Sequence, residues 1–244
     1  MSPVLKKRPR DSLMNYNSIE KGTFLFRENR FVAKVNIDEN PHTVHVKNTG
    51  RCRELLIPGA TVYLEKSQNP RRKTAYDLVA VEKKREGKEP LLINMDSQIP
   101  NAAAEEWLKK GLLFSENAKI RREVVFENSR FDFYIEDGRH RAFLEVKGVT
   151  LEQDGVARFP DAPTLRGIKH INELIEAKKQ GFDCYILFVI QMKEIKLFEP
   201  NYDTHGEFGE ALKAAKRAGV KILAFDCIVT PKSITLDQEV KIQL

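Results

Sequence analysis

Three ionisable residues interrupt two apolar segments between residues 129 and 151 of the chain. The first segment carries Asp132, and the second carries Glu145 and Lys147. Side chains alternate along a β-strand, so Glu145 and Lys147 point to the same face. Two carboxylates suit Mg²⁺ or Mn²⁺, and a lysine beside them can orient a water molecule or neutralise developing charge. This pattern is typical of a metal-dependent phosphodiesterase.

The two segments are predicted strands of one β-hairpin, and the turn decides how the acids meet. A turn over residues 137–140 places Asp132 opposite Glu145. A two-residue Asp-Gly turn places Asp132 opposite Phe143, with Glu145 as its diagonal neighbour. In both registers the carboxylates share a face, where like charges need a compensating cation. The alternative interpretation is an ordinary ion cluster on exposed strands.

The apolar residues of the hairpin predict burial. Regular alternation places Phe131, Phe133 and Ile135 on one face of the first strand, away from Asp132. In the second strand it places Ala142, Leu144 and Val146 on one face and Phe143, Glu145 and Lys147 on the other. Two more carboxylates are weaker candidates for metal ligands, namely Glu123 on the preceding strand and Glu106 on a predicted helix.

The sequence divides into two main regions that differ in their hydrophobic pattern. Residues 22–85 alternate in short segments with turn signals about every ten residues, which predicts a small OB-like β-barrel. Residues 1–21 are expected to form a basic tail, and residues 86–101 carry turn chemistry typical of a linker. Residues 102–244 mix strands and helices, which predicts an α/β sandwich around a mixed sheet, so the fold class is α+β or mixed.

Helix stop signals and apolar runs define the predicted helices and strands of the second region, residues 102–244. Asn101 is the predicted N-cap of the first helix, and glycines end the helices. The predicted helices cover 102–110, 164–180 and 207–218, and the predicted strands cover 122–126, 130–136, 141–147, 184–190 and 221–228.

The chain has 41 Lys and Arg against 35 Asp and Glu, a net charge of +6 that is compatible with a polyanionic partner. On the helix 164–180 the basic residues fall at i, i+3 and i+4, on one face. Basic clusters at 71–73 and 83–85 are expected to be exposed. Candidate nucleic-acid contacts are Arg30, Lys34, His45, Asn48, Arg51, Arg53, Arg166, Lys169 and His170, and the tail adds Lys6, Lys7, Arg8 and Arg10.

Cysteine content and hydropathy argue against several classes of protein. Cys52, Cys184 and Cys227 are odd in number and widely spaced, which argues against a disulfide framework or a zinc knuckle and fits a reducing cytoplasm. The longest apolar run, 184–190, is too short to cross a bilayer. The N-terminus lacks the apolar region of a signal peptide.

Several longer stretches resemble a known family. HVKNTGRCRELLIPG, SRFDFYIE, FLEVKGVTL, RFPDAPTLRGIKHINEL and LFVIQMKEIKLFEPNYD, among stretches within residues 26–228, are similar to the sugar fermentation stimulation protein A (SfsA) family. The hairpin resembles a PD-(D/E)xK nuclease core, with Asp132 as the first acid, although no proline precedes it. The resemblance implies an OB-like domain joined to a restriction-endonuclease-like domain, DNA binding, and a role in regulating sugar (maltose) utilisation.

Three classes of function are therefore compared. The first is a Mg²⁺-dependent nuclease that acts on DNA. The second is a non-catalytic DNA-binding regulator whose nuclease-like pocket only binds phosphate or metal. The third is a structural ion cluster in a protein with another partner. Open sheet edges in the second domain would permit a homodimer.

Overall fold

The computed structural model describes residues 15–48 and 50–244. The basic tail residues named above lie outside the described residues. The N-terminal strands are β1 Ile19–Arg27, β2 Val32–Ile37, β3 Asn40–Val46, β4 Thr61–Lys66, β5 Tyr76–Arg85 and β6 Lys88–Asn94.

Five of these strands close into a barrel. The strand order is β3-β2-β1-β4-β5, and β3 also pairs in parallel with β5 to complete the ring. Alternate side chains such as Val35, Val44, Val62 and Leu64 are fully buried in its interior. This alternation of apolar residues is the pattern of a half-buried strand, and the predicted OB-like barrel is confirmed.

The barrel begins earlier and ends later than the sequence suggested. Tyr16 is buried and β1 starts at Ile19, so the last residues of the expected tail are part of the fold. The expected linker 86–101 contains β6 and the start of the first helix. Gly87, with φ of +66°, turns a hairpin there, and Leu91 and Ile93 of β6 are buried in the apolar cluster that includes the barrel interior.

The C-terminal domain surrounds a six-stranded mixed sheet with the order β15-β14-β12-β9-β8-β7, in which β9, β12 and β14 run parallel. A second sheet has the order β10-β11-β13-β16. The elements are α1 Ile99–Lys109, β7 Lys119–Phe126, β8 Ser129–Asp137, β9 His140–Val149, β10 Leu151–Gln153, β11 Val156–Phe159, α2 Leu165–Lys179, β12 Asp183–Ile190, β13 Leu197–Pro200, α3 Tyr202–Arg217, β14 Lys221–Thr230, β15 Ser233–Glu239 and β16 Lys241–Ile242.

The helices cover both faces of the large sheet. Helix α1 packs with Phe133 and Leu144 in one apolar cluster. Helices α2 and α3 pack with Phe131 and Phe143 in a second cluster, which also includes the barrel interior. The two domains therefore share one continuous core, and the predicted mixed-sheet domain is confirmed.

Two helices differ in length from their predictions. Helix α1 begins at Ile99, with Gln98 as its N-cap and a proline in the first turn, so Asn101 lies inside the helix. Helix α3 begins at Tyr202, because two helical segments join across a kink at His205. Helix α2 matches its prediction closely.

The hairpin of β8 and β9 has the register that a turn over residues 137–140 produces. Glu136 pairs with Arg141, and Phe133 pairs with Leu144. The predicted faces of β9 are correct, and in β8 Phe133 and Ile135 share a face as predicted, whereas Phe131 lies on the opposite face. Phe131 packs with Phe143 on the α2 side, while Phe133 packs on the α1 side. The alternation breaks between these two phenylalanines, at the position of Asp132.

Ion pairs join the two domains at the end of the barrel. Lys83 Nζ lies 2.6 Å from Glu152 Oε2, and Arg85 Nη1 lies 2.8 Å from Glu194 Oε2. Lys83 and Arg85 therefore both form ion pairs across the domain junction. The expectation that cluster 83–85 is exposed was wrong for these two residues, which are half-buried.

Candidate metal and phosphate site

Asp132 lies where the β8–β9 ladder opens. Its Oδ2 accepts a hydrogen bond from the backbone N–H of Val146 at 2.7 Å. Its Oδ1 accepts a hydrogen bond from Asn101 Nδ2, also at 2.7 Å. The carboxylate thus occupies a position that a backbone carbonyl would fill in a regular ladder, and the neighbouring strand and helix α1 fix its orientation.

Glu145 is the most deeply buried acid of the hairpin, with 3% of its surface exposed. Its Oε1 accepts hydrogen bonds from Lys147 Nζ at 2.6 Å and from His170 Nδ1. Its Oε2 is also buried and has no hydrogen-bond partner. Buried carboxylate oxygens almost always have a partner, so this orphaned atom marks a place where another positively charged group or donor is expected.

The two acids have different protonation behaviour. Burial, and then the negative charge of Glu145, raise the pKa of Asp132 to about 6. Burial also favours a raised pKa for Glu145, but the hydrogen bond from His170 and the charge of Lys147 outweigh it and lower the pKa of Glu145 below its usual value. The site therefore holds one firmly ionised acid beside one that binds a proton more readily.

The two acids are held by helices on opposite faces of the sheet. Asn101, in the first turn of α1, bonds Asp132, and His170, on α2, bonds Glu145. The second ring nitrogen of His170, Nε2, accepts a hydrogen bond from Arg166 Nε at 3.4 Å. The predicted group of Asp132, Glu145 and Lys147 is therefore brought together at one point, with these side chains around it.

Asn101 is a site residue that sequence analysis assigned to another role. An asparagine before an alanine-rich run is typical of a helix cap, yet here the helix starts three residues earlier than predicted. His170 was expected to contact nucleic acid. It is buried, and its Nδ1 is directed at Glu145. No signal in the sequence distinguishes this contact from an exposed position on the helix.

The two weaker metal candidates have ion pairs of their own. Glu106 accepts from Lys110 at 2.6 Å along helix α1. Glu123 is exposed and lies 2.7 Å from Arg130 Nε. Within residues 15–48 and 50–244, no group of three or more His, Cys, Asp or Glu side chains is arranged to hold a metal ion.

The basic residues of helix α2 lie next to this site. Arg166 and Lys169 are exposed. Lys169 Nζ donates to the carbonyl of Asn128 at 2.6 Å and lies 3.8 Å from Glu173. Arg166 and Lys169 lie on the same part of α2 as His170, which is hydrogen-bonded to Glu145.

The candidate contacts on the barrel fall into two groups. Lys34 donates to Thr43, and His45 is hydrogen-bonded to the buried Asp77 at 3.0 Å, so both already have partners. Asn48 also has a structural role, because its Oδ1 accepts from the N–H of Gly50 at 2.7 Å. The three exposed arginines, Arg30, Arg51 and Arg53, line one surface groove.

Comparison with protein families decides the relationship of the chain. The family model described as the sugar fermentation stimulation protein RE domain matches residues 98–233, and that of the SfsA N-terminal OB domain matches residues 25–89. The chain belongs to the SfsA family. Both SfsA domains correspond to the two domains seen in the fold.

Individual members of the SfsA family are similar over nearly the whole chain. A sugar fermentation stimulation protein homolog from Clostridium beijerinckii is 52% identical over 231 residues, which cover 95% of this chain and 100% of the relative. A homolog from Desulfitobacterium hafniense is 54% identical, with 95% and 99% covered. The solved structure of Pyrococcus furiosus SfsA in complex with Ca²⁺ is 31% identical, has a TM-score of 0.83, and covers 95% of this chain and 99% of its own.

Among the described residues, none of the helices has both the length and the apolar character needed to cross a membrane.

Proposed function

We propose that this protein binds DNA and hydrolyses its phosphodiester bonds at a Mg²⁺- or Mn²⁺-dependent site formed by Asp132, Glu145 and Lys147. The observation that carries the proposal is the orphaned Oε2 of Glu145, buried in a site that also contains Asp132 and a lysine. A structural ion cluster would satisfy its buried oxygens internally. This one leaves an acceptor for a further positive group.

The residues fit a hard divalent cation. Such ions prefer carboxylate oxygens and keep several water ligands. Asp132 and Glu145 would hold the ion, and its charge would offset the repulsion that contributes to the raised pKa of Asp132. When bound, the ion supplies positive charge against the developing negative charge of the phosphate.

The protein's own side chains fill the other roles in the proposed reaction. Lys147 Nζ has three N–H donors, of which one bonds Glu145, so it can also orient an attacking water or a phosphate oxygen. Asn101 and His170 keep the two carboxylates in place. Arg166 and Lys169 offer exposed positive charge to phosphates on either side of the reacting one.

The archaeal relative gives independent support. Pyrococcus furiosus SfsA was solved in complex with Ca²⁺, another hard cation that binds oxygen ligands. A divalent ion therefore binds to a protein with the same fold over nearly its whole length, which favours a similar site in this chain.

A second candidate function is a non-catalytic DNA-binding regulator of sugar (maltose) genes. It is favoured by the exposed cations Arg166 and Lys169 beside the site, which can contact phosphates without any cleavage. In that protein Asp132 and Glu145 would bind a metal ion or position a phosphate without cleaving the DNA.

A cleavage assay separates the two candidates. The full chain is incubated with labelled single-stranded or duplex DNA in Mg²⁺, in Mn²⁺ or in EDTA. We expect metal-dependent cutting that falls by at least about 100-fold in Glu145→Gln and in Lys147→Met, while DNA binding persists. Glu176→Gln, on the exposed side of α2, is the matched control and should cut normally.

Two outcomes would contradict the nuclease assignment. One is DNA binding without any metal-dependent cutting by a clean preparation, which would support the regulator. The other is cutting that survives in both site variants, since this would trace the activity to a contaminant.

A further inference from the structure

A groove on the barrel surface combines exposed aromatic and basic side chains. It has a volume of about 450 Å³, and its lining includes Phe26, Arg27, Arg30, Arg51, Arg53 and Pro58. We call it the aromatic groove. Phe31 lies beside it, with the guanidinium of Arg30 5.2 Å from its ring centre. Phe26 is 54% exposed and Phe31 is 46% exposed.

The exposure of Phe26 follows from a β-bulge. Phe24 pairs with Val35 and Phe26 pairs with Lys34, so one extra residue interrupts the β1–β2 ladder. In an unbroken strand, residues 24 and 26 would face the same side. The bulge leaves Phe24 in the core and turns Phe26 outward.

The backbone holds Phe31 in an exposed position as well. Its N–H donates to Asn29 Oδ1 at 2.9 Å, and its carbonyl accepts from the N–H of Val46 at 2.8 Å. Two phenylalanines are thus kept in contact with water by defined backbone structure. Clustered exposed apolar side chains of this kind mark interaction surfaces.

The arginines of the groove divide into one structural residue and three available ones. Arg27 has a structural role, because its guanidinium donates to the carbonyls of five loop residues. Arg30, Arg51 and Arg53 are exposed, and none has an ion pair within the described part of the chain. Their charge complements a polyanion, while the rings complement flat apolar groups.

The aromatic groove and a cavity at the domain junction share a lining residue. Gly50 lines the groove and also a smaller cavity of about 150 Å³ at the domain junction. The same cavity is lined by Gly148, the residue after Lys147. A Cβ on Gly50 would lie 2.3 Å from Asp161 Oδ2, so the loops that carry these two residues approach closely here.

From this arrangement we infer that the aromatic groove binds single-stranded nucleic acid, which then passes Gly50 toward Lys147. Bases of a single strand can stack on Phe26 and Phe31 while Arg30, Arg51 and Arg53 contact phosphates. Bases in a duplex are stacked on each other and are not available to the rings. The inference rests on the proposed function and specifies the substrate class as single-stranded.

Equilibrium binding to the full chain in EDTA tests the inference without cleavage. The probes are labelled oligonucleotides of equal length: oligo-dT, oligo-U, an abasic oligonucleotide and a blunt duplex. We expect oligo-dT to bind at least about tenfold more tightly than the abasic probe, which has the same phosphates but no bases to stack. We expect the duplex to bind more weakly than oligo-dT, and oligo-U shows whether RNA is accepted.

Variants connect the affinity to the groove. Phe26→Ala and Phe31→Ala should each weaken oligo-dT binding by about fivefold or more and leave the salt dependence unchanged. Arg51→Ala should lower the slope of log affinity against log salt by about 0.7, the value for one single-strand phosphate contact. Val125→Ala removes a side chain that is 70% exposed on β7 and should bind like the original protein.

The outcomes separate this inference from the proposed function. If oligo-dT, the abasic probe and the duplex bind equally, and both phenylalanine variants bind normally, the single-strand inference is wrong while nucleic-acid binding stands. If no probe binds even at low salt, the proposed function fails and the inference fails with it. The comparison of oligo-dT with the abasic probe uses the unaltered protein, so it remains decisive should a variant fold poorly.

Discussion

At the scale of single residues, the site is defined by what each carboxylate oxygen contacts. Asp132 has both oxygens hydrogen-bonded, whereas Glu145 has one oxygen shared by two donors and the other without a partner. Burial and the charge of Glu145 raise the pKa of Asp132, whereas His170 and Lys147 outweigh burial and lower the pKa of Glu145. The missing partner identifies Glu145 Oε2 as the open position. Residue types and spacing predicted the acids and the lysine, but not the side chains that orient them.

Asn101→Ala tests the importance of that orientation. The variant removes the hydrogen bond from α1 to Asp132, and loss of a partner that orients a metal ligand typically weakens metal affinity by about 10- to 100-fold. Titration calorimetry with Mn²⁺ measures the change. Asn172→Ala, on an exposed part of α2, is the control and should bind Mn²⁺ normally. Unchanged affinity in Asn101→Ala would show that Asp132 needs no support from α1.

At the scale of elements, loops and strand ends are fixed by buried polar side chains. Arg27, at the end of β1, bonds carbonyls of residues 29 and 30 and of residues 48, 50 and 51. It therefore clamps the β1–β2 turn to the loop after β3. Elsewhere in the barrel, Asp77 on β5 accepts hydrogen bonds from Arg72 through both oxygens and is also bonded to His45.

Arg27→Lys should destabilise the protein although the charge is kept. An ammonium has three donors in one place and cannot reproduce the planar fork of a guanidinium. We expect the free energy of unfolding to fall by about 2 kcal/mol, measured by urea denaturation. Arg71→Lys, at an exposed position, should change it little. Equal stability of the two variants would contradict the clamp.

Asp77→Asn should destabilise the protein in a pH-dependent way. Burial favours a raised pKa for Asp77, but bonds from Arg72 and His45 outweigh it, so its pKa in the folded state is lowered. The carboxylate's contribution is therefore fully present above its unfolded pKa of about 4 and is lost as the pH falls through the folded pKa. We expect the free energy of unfolding of the variant to be lower by about 3 kcal/mol at neutral pH. This difference should become smaller below about pH 4. Urea denaturation across pH measures it, and a gap that is constant with pH would contradict the assignment.

The elements also show where prediction from sequence reaches its limit. The observed hairpin register is one of the two that the sequence left open, and α2 followed from its basic last turn and glycine stop. The flip of Phe131, the outward turn of Phe26 and the early start of α1 did not follow, because each depends on tertiary contacts that override local pattern. Strand β6 was missed because Gly87 signals a turn whether the next segment pairs or not.

At the scale of the whole molecule, the barrel and the mixed-sheet domain form one unit. Asn15 bridges to Ser233, and the backbone N–H of Tyr16 donates to the carbonyl of Lys232 at 2.7 Å. The Tyr16 ring is buried beside α1, and its hydroxyl accepts from Asn94 Nδ2 at 2.9 Å. Residues 15 and 16 thus join the barrel to the hairpin that leads into β15 of the second domain.

Tyr16→Ala should therefore destabilise both domains together. We expect a loss of about 3–4 kcal/mol, against about 1 kcal/mol for Tyr16→Phe, which keeps the ring. Trp107, on α1, reports the second domain by fluorescence, while far-ultraviolet circular dichroism reports the whole chain. The two unfolding transitions should coincide in all three proteins. Two separate transitions would show that the domains are independent.

The proposed mechanism requires that Asp132 and Glu145 together bind a divalent ion, and anomalous diffraction from a crystal soaked in Mn²⁺ is the decisive measurement. We expect an anomalous peak bonded to carboxylate oxygens of both residues, at roughly 2.0–2.3 Å, and no such peak in crystals of Glu145→Gln. An ordered crystal with both carboxylates free of metal at saturating Mn²⁺, or with the peak bound elsewhere, would contradict it.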